Sequence, residues 1–126
     1  PQMDAVLLHC PKNKETTDMF SENEFEIMKE SAFLINCARG GIINEVALLD
    51  ALKSNKIRAA GLDVYDDEPS TSSNPLFSLD NILLSPHIAG VTQEATIRMS
   101  KQAVQNVLDV FDDKVDPEVI INKNVL

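Results

Sequence analysis

Four short apolar runs punctuate the chain, and between them the apolar positions shift to helical spacing. The first run, AVLLH from Ala5 to His9, stops at Pro11 and predicts a strand buried on both faces. In SENEFEIMKES, Ser21 and Glu24 have the spacing of a capping box, and Phe25 and Met28 share one face of the helix it opens. The second run, AFLINC from Ala32 to Cys37, ends at ARGG, whose glycines permit a tight turn. Asn44 then caps a helix carrying Val46, Leu48, Leu49 and Leu52. AAGLDVY (59–65) and NILLS (81–85) predict a third and a fourth strand, joined by the loop DDEPSTSSNP and a short turn at Leu76 and Phe77. Thr92 caps a long helix with Ala95, Met99, Ala103, Val107, Leu108 and Phe111 on one face, and Met99 and Phe111 are expected in a core. From Val115 to Leu126 the pattern is irregular.

Apolar strands separated by amphipathic helices imply a parallel sheet with right-handed crossovers, the doubly wound α/β class. In such sheets ligands bind outside the carboxyl ends of the strands, where the strand-to-helix connections gather. That rule sorts the chemistry-bearing residues by position alone. Arg39 follows the second predicted strand, Glu68 lies in the loop after the third, and His87 follows the fourth within SPHIAG. All three therefore belong to the ligand edge, as does His9 at the end of the first strand.

Composition narrows the class of partner. With 126 residues and 44% hydrophobic content, the chain has room for one small domain or part of a larger one. Twenty acidic against eleven basic residues give a net charge of −9, which opposes nucleic acid and anionic membranes as partners. Cys10 and Cys37 form no CxxC pair, so neither a zinc site nor a disulfide framework is expected, and reduced thiols in a cytoplasmic protein are. The carboxylates of DDEP lack hard-cation geometry, so no metal is expected there. No apolar stretch approaches the roughly 20 residues that span a bilayer, and no signal-peptide pattern is present.

The three edge residues suit proton and anion chemistry. A histidine exchanges protons near neutral pH and a neighbouring carboxylate favours its charged form, which makes His87 and Glu68 an acid–base couple. The planar fork of Arg39 matches a carboxylate. Together they suit redox chemistry at a carbon beside a carboxylate, for which the hydride carrier must be a bound cofactor. Singly, Arg39 reads equally as a solvated turn residue, Glu68 as a surface acid and His87 as a helix-flanking residue. Their joint placement argues for the site.

The stretch NCARGGIINEVALLDALKSNKIRAAGLDVYDDEP, followed by NPLFSLDNILLSPHIAG, resembles the D-isomer-specific 2-hydroxyacid dehydrogenases, among them phosphoglycerate dehydrogenase and the glyoxylate/hydroxypyruvate reductases. The resemblance implies that Arg39 binds the substrate carboxylate and carbonyl, that Glu68 holds the histidine, and that His87 donates the proton in reduction. It implies NAD as cofactor, with NADP left open, near His9, Cys10, Pro11, Thr16, Cys37, Ala38, Arg39, Asp63, His87, Ala89 and Gly90. The family's GxGxxG fingerprint is absent, so the resemblance further implies the C-terminal portion of a longer homodimeric enzyme. On that reading residues 1–112 are the second half of a dinucleotide domain, 113–126 are a tail toward a substrate domain, and the piece alone has little activity. Its substrate would be a small 2-hydroxyacid such as 3-phosphoglycerate or the reduced form of glyoxylate or hydroxypyruvate. A dinucleotide-sensing binding module, like the corepressors that share this fold, is the alternative.

Overall fold

The computed structural model describes residues 3–123. The elements run β1 (Ala5–Leu8), α1 (Glu22–Ile27), β2 (Phe33–Asn36), α2 (Glu45–Lys53), β3 (Ala59–Leu62), a 3₁₀ turn (Pro75–Ser78), β4 (Ile82–Leu84) and α3 (Gln93–Phe111), with a last 3₁₀ turn at Pro117–Val119. They fall into two compact units that divide between Ala89 and Gly90.

In the first unit the four strands form one parallel sheet in the order β1-β2-β3-β4. The α/β class expected from the sequence is the one observed. Register aligns Leu8, Asn36, Leu62 and Leu84 across the sheet, and Leu34 with Ala60. This face is covered: Leu8, Leu34, Ala60 and Leu62 pack in one buried cluster with Phe25 of α1 and Ala47, Leu48, Ala51 and Leu52 of α2. Each fully buried leucine contributes about 1.5–3 kcal/mol. The opposite face carries Leu7, Phe33 and Leu83, exposed at 54%, 41% and 78%.

The expectation of strands buried on both faces is thus corrected, because burial alternates along them. The cause is topological. With strands adjacent in sequence order and crossovers of one hand, successive connections fall on the same side of the sheet.

Local chemistry explains where the elements begin. Glu24 accepts the Ser21 N–H at 3.0 Å, half of the capping box, and Asn44 Oδ1 accepts the Ala47 N–H at 3.0 Å. In α2 the inward positions are Ala47, Leu48, Ala51 and Leu52, while Val46 faces solvent at 68%. Asn74 caps the first 3₁₀ turn through the Leu76 N–H, which seats Leu76 fully buried beside α2 and β4.

In the second unit Thr92 Oγ1 accepts the Ala95 N–H at 3.1 Å and opens α3. None of its 19 residues is buried. Met99 and Phe111 are 71% and 80% exposed, against their expected place in a core. Period alone says which side of a helix is apolar and not that a partner covers it. The tail is irregular apart from the Pro117–Val119 turn; its last three positions lie outside the described residues. Among the described residues no helix is long and apolar enough to cross a membrane.

Candidate active site

The carboxyl edge of the sheet is shaped by loops that hydrogen-bond to themselves and to each other. At the end of β2 the Asn36 side chain, 2% exposed, accepts the Ala38 N–H at 3.0 Å and donates to the Arg39 carbonyl at 2.9 Å, folding the turn that carries Arg39. Gly40 then passes so close to the loop after β3 that a Cβ there would lie 1.7 Å from the Tyr65 carbonyl oxygen. Only glycine fits.

After β3 the chain turns back on Glu68. Its Oε1 accepts the Tyr65 N–H at 2.9 Å, and its Oε2 lies 2.6 Å from Nδ1 of His87, which follows β4. The His87 hydrogen bond and then the Tyr65 N–H hold the Glu68 carboxyl below the ordinary glutamate value, against the opposing effect of burial. An ionised carboxylate only accepts, so Nδ1 carries a proton and Nε2 is the ring atom left to face a ligand. The Tyr65 hydroxyl donates to the Ser85 carbonyl at 2.9 Å, tying the same loop to the end of β4. Burial raises the Tyr65 hydroxyl above its ordinary value, aided by the nearby Asp63 carboxylate.

Asp63, one residue past β3, is 3% exposed. Its Oδ1 accepts the Ser85 hydroxyl at 2.5 Å and the Ile88 N–H at 2.8 Å, and its Oδ2 accepts the Ala89 N–H at 2.8 Å. Burial alone would push this carboxyl up; the three hydrogen bonds, with His87 nearby, outweigh it and leave the group below the usual aspartate value.

Eight of the twelve expected site residues line two cavities. His9, Cys10 and Pro11 after β1 line one of about 480 Å³ together with Cys37, Ala38 and Arg39 after β2. Glu68 and His87 line another of about 730 Å³, walled by Tyr65, Phe77, Leu84 and Pro86. Arg39 thus shares the sheet edge with His87 but stands in a different cavity, its Nη1 donating to the Ala38 carbonyl at 2.6 Å. Thr16 lines neither; its hydroxyl donates to the Pro11 carbonyl at 2.8 Å and braces that turn. Ala89 is engaged through its N–H by Asp63, and Gly90 opens the second unit, where its carbonyl accepts the Thr92 N–H.

Four contributors escaped the sequence reading. Lys12 lines the smaller cavity beside Arg39, and its place directly after His9, Cys10 and Pro11 was the available signal. Asn36, Tyr65 and Ser85 act through bonds that each involve a backbone group or, for the Ser85 hydroxyl, the Asp63 carboxylate, which no pattern of side chains announces. The smaller cavity suits an anionic dinucleotide, since it lies at the carboxyl ends of two adjacent parallel strands and places Lys12 and Arg39 together. Among the described residues no three His, Cys, Asp or Glu side chains are placed to hold a metal ion.

Residues 1–89 match the family model described as D-isomer specific 2-hydroxyacid dehydrogenase, NAD binding domain. Over 123 residues the chain is 42% identical to a glyoxylate reductase of Thermofilum pendens, an alignment covering 98% of this chain and 36% of that one. It is 40% identical over 107 residues to a D-3-phosphoglycerate dehydrogenase of Archaeoglobus fulgidus, covering 85% of this chain and 20% of the relative. The fold is similar to that of an NADPH-dependent glyoxylate/hydroxypyruvate reductase of Sinorhizobium meliloti solved with NADP and malonate. There the TM-score is 0.78 at 30% identity, over 86% of this chain and 34% of that one. The chain therefore spans between a fifth and somewhat over a third of the length of these relatives.

Proposed function

The chain belongs to the D-isomer specific 2-hydroxyacid dehydrogenase family, whose NAD-binding domain model it matches, and from that premise we propose that the full-length protein is an NAD(P)-dependent oxidoreductase interconverting a D-2-hydroxyacid and its 2-oxoacid. The observation that carries this reading is the 2.6 Å contact between Glu68 and His87 at the carboxyl edge of a parallel sheet. It fixes the tautomer and leaves Nε2 as the ring atom for a ligand in the cavity that His87 lines, which is what a proton donor to a carbonyl oxygen requires. A bound nicotinamide supplies hydride in reduction and takes it up in oxidation.

The chain's own groups do the rest. In reduction Nε2 of His87 gives its proton to the substrate carbonyl oxygen, and Glu68 stabilises the charged imidazole before transfer. The Arg39 guanidinium pairs with the substrate carboxylate in a two-pronged contact. His9, Cys10, Pro11, Cys37, Ala38 and Arg39 would hold the dinucleotide along the smaller cavity, with Asp63, His87, Ala89 and Gly90 toward its reactive end and Thr16 bracing the first turn. Glyoxylate, hydroxypyruvate and the oxidised form of 3-phosphoglycerate are the proposed substrates, and a cytoplasmic homodimer is the proposed setting. The test is oxidation of NADH and NADPH by the full-length protein, followed by absorbance with each of these 2-oxoacids. Turnover with at least one is expected. Tight dinucleotide binding without turnover on any would overturn the reading in favour of a binding module.

A further inference from the structure

We propose that Asp63 is a positioning residue for His87: its carboxylate holds the segment after β4 in the one backbone shape that puts the imidazole against Glu68. The proposal rests on the acid–base reading above. His87 has φ of +56°, in the left-handed region that residues other than glycine seldom occupy, so something must hold it there. A left-handed residue turns the N–H groups that follow it toward a common point, and the point here is Asp63: Ile88 and Ala89 each donate to it at 2.8 Å. The third donor is the Ser85 hydroxyl, two residues before His87.

Every hydrogen bond of the Asp63 side chain is therefore spent on residues 85–89, and among the described residues no cation pairs with it. A buried carboxylate with that partner set costs more to desolvate than an amide would, and the arrangement returns the cost as backbone geometry. The resemblance places Asp63 near the cofactor; its contacts within the chain give it this further task in the loop.

The test is Asp63→Asn, which keeps one acceptor oxygen but turns an NH₂ toward backbone N–H groups. In the 126-residue chain, amide exchange at Ile88 and Ala89 should accelerate at least about tenfold, since each loses a charge-assisted bond. The Glu68 carboxyl, followed by its ¹³C shift, should titrate at higher pH as its contact with His87 loosens, an effect larger than the opposite one from loss of the nearby Asp63 charge. In the full-length protein turnover should fall by about 10², the scale of a misplaced catalytic group. In a His87→Gln background the same substitution should lower turnover far less than it does in the parent while amide exchange at Ile88 and Ala89 still rises, which separates failure of this proposal from failure of the acid–base reading. Should Asp63→Asn not fold, Ser85→Ala removes one donor and should move exchange and the Glu68 titration in the same directions by less. Wild-type exchange and titration, with a loss confined to NADH affinity, would overturn the proposal and return Asp63 to the cofactor.

Discussion

At the β4 end of the site the groups that hold His87 are committed before any ligand arrives: Glu68 to Tyr65 and His87, Asp63 to three donors of the following loop, Ser85 to both Asp63 and Tyr65. At the β2 end, among the described residues, the Arg39 guanidinium reaches only its neighbour's carbonyl and Lys12 forms no ion pair. Proton transfer depends on a fixed approach and rewards a rigid donor, whereas an anion-binding cation must exchange partners when its ligand comes. The two ends differ as those tasks differ.

Three substitutions in the full-length protein probe this contrast. The largest effect is expected at the rigid end: His87→Gln should lower turnover by roughly 10² to 10⁴ with dinucleotide affinity little changed. Steady-state rates beside an NADH titration read both, and unchanged turnover would leave His87 as a strand-end packing residue. Arg39→Lys should come next, raising KM for the 2-oxoacid as well as lowering turnover, by about tenfold each, because an ammonium cannot reproduce the two-pronged contact. A KM equal to that of the unsubstituted protein would show that the fork is not engaged by the carboxylate.

The smallest effect concerns acid stability and can be measured on this chain alone. Glu68 titrates in the folded protein below its ordinary value of 4.5, so its contribution to stability is complete above that pH and is lost as pH falls through the depressed value. Glu68→Gln should therefore be less stable than the parent above pH 5 and should lose less on acidification. Denaturant midpoints at pH 6 and pH 3.5 test this; a parallel loss in both proteins would mean that Glu68 is not held low.

The order of elements and the edge on which the candidates meet were legible from four apolar runs and their spacing, because both follow from local periodicity and from the handedness of crossovers. Asn44 and Thr92 as caps were equally plain, each being a local side-chain-to-backbone contact. Burial was less legible. Leu7, Leu83, Met99 and Phe111 are as apolar as the core leucines, yet all four are exposed, since no residue encodes alone whether something lies over it. Least legible were the bonds from Tyr65 N–H to Glu68 and from Ile88 and Ala89 N–H to Asp63, whose donors are backbone groups common to almost every residue.

Gly40 has a meaning for anyone who would rebuild this site by exchanging loops among relatives. Its backbone lies against the Tyr65 carbonyl with no room for a single carbon between them. The Arg39 turn and the Tyr65–Glu68 loop are therefore one transplantable module, and a graft that carries residues 37–41 without 65–68 inherits a collision instead of a new specificity.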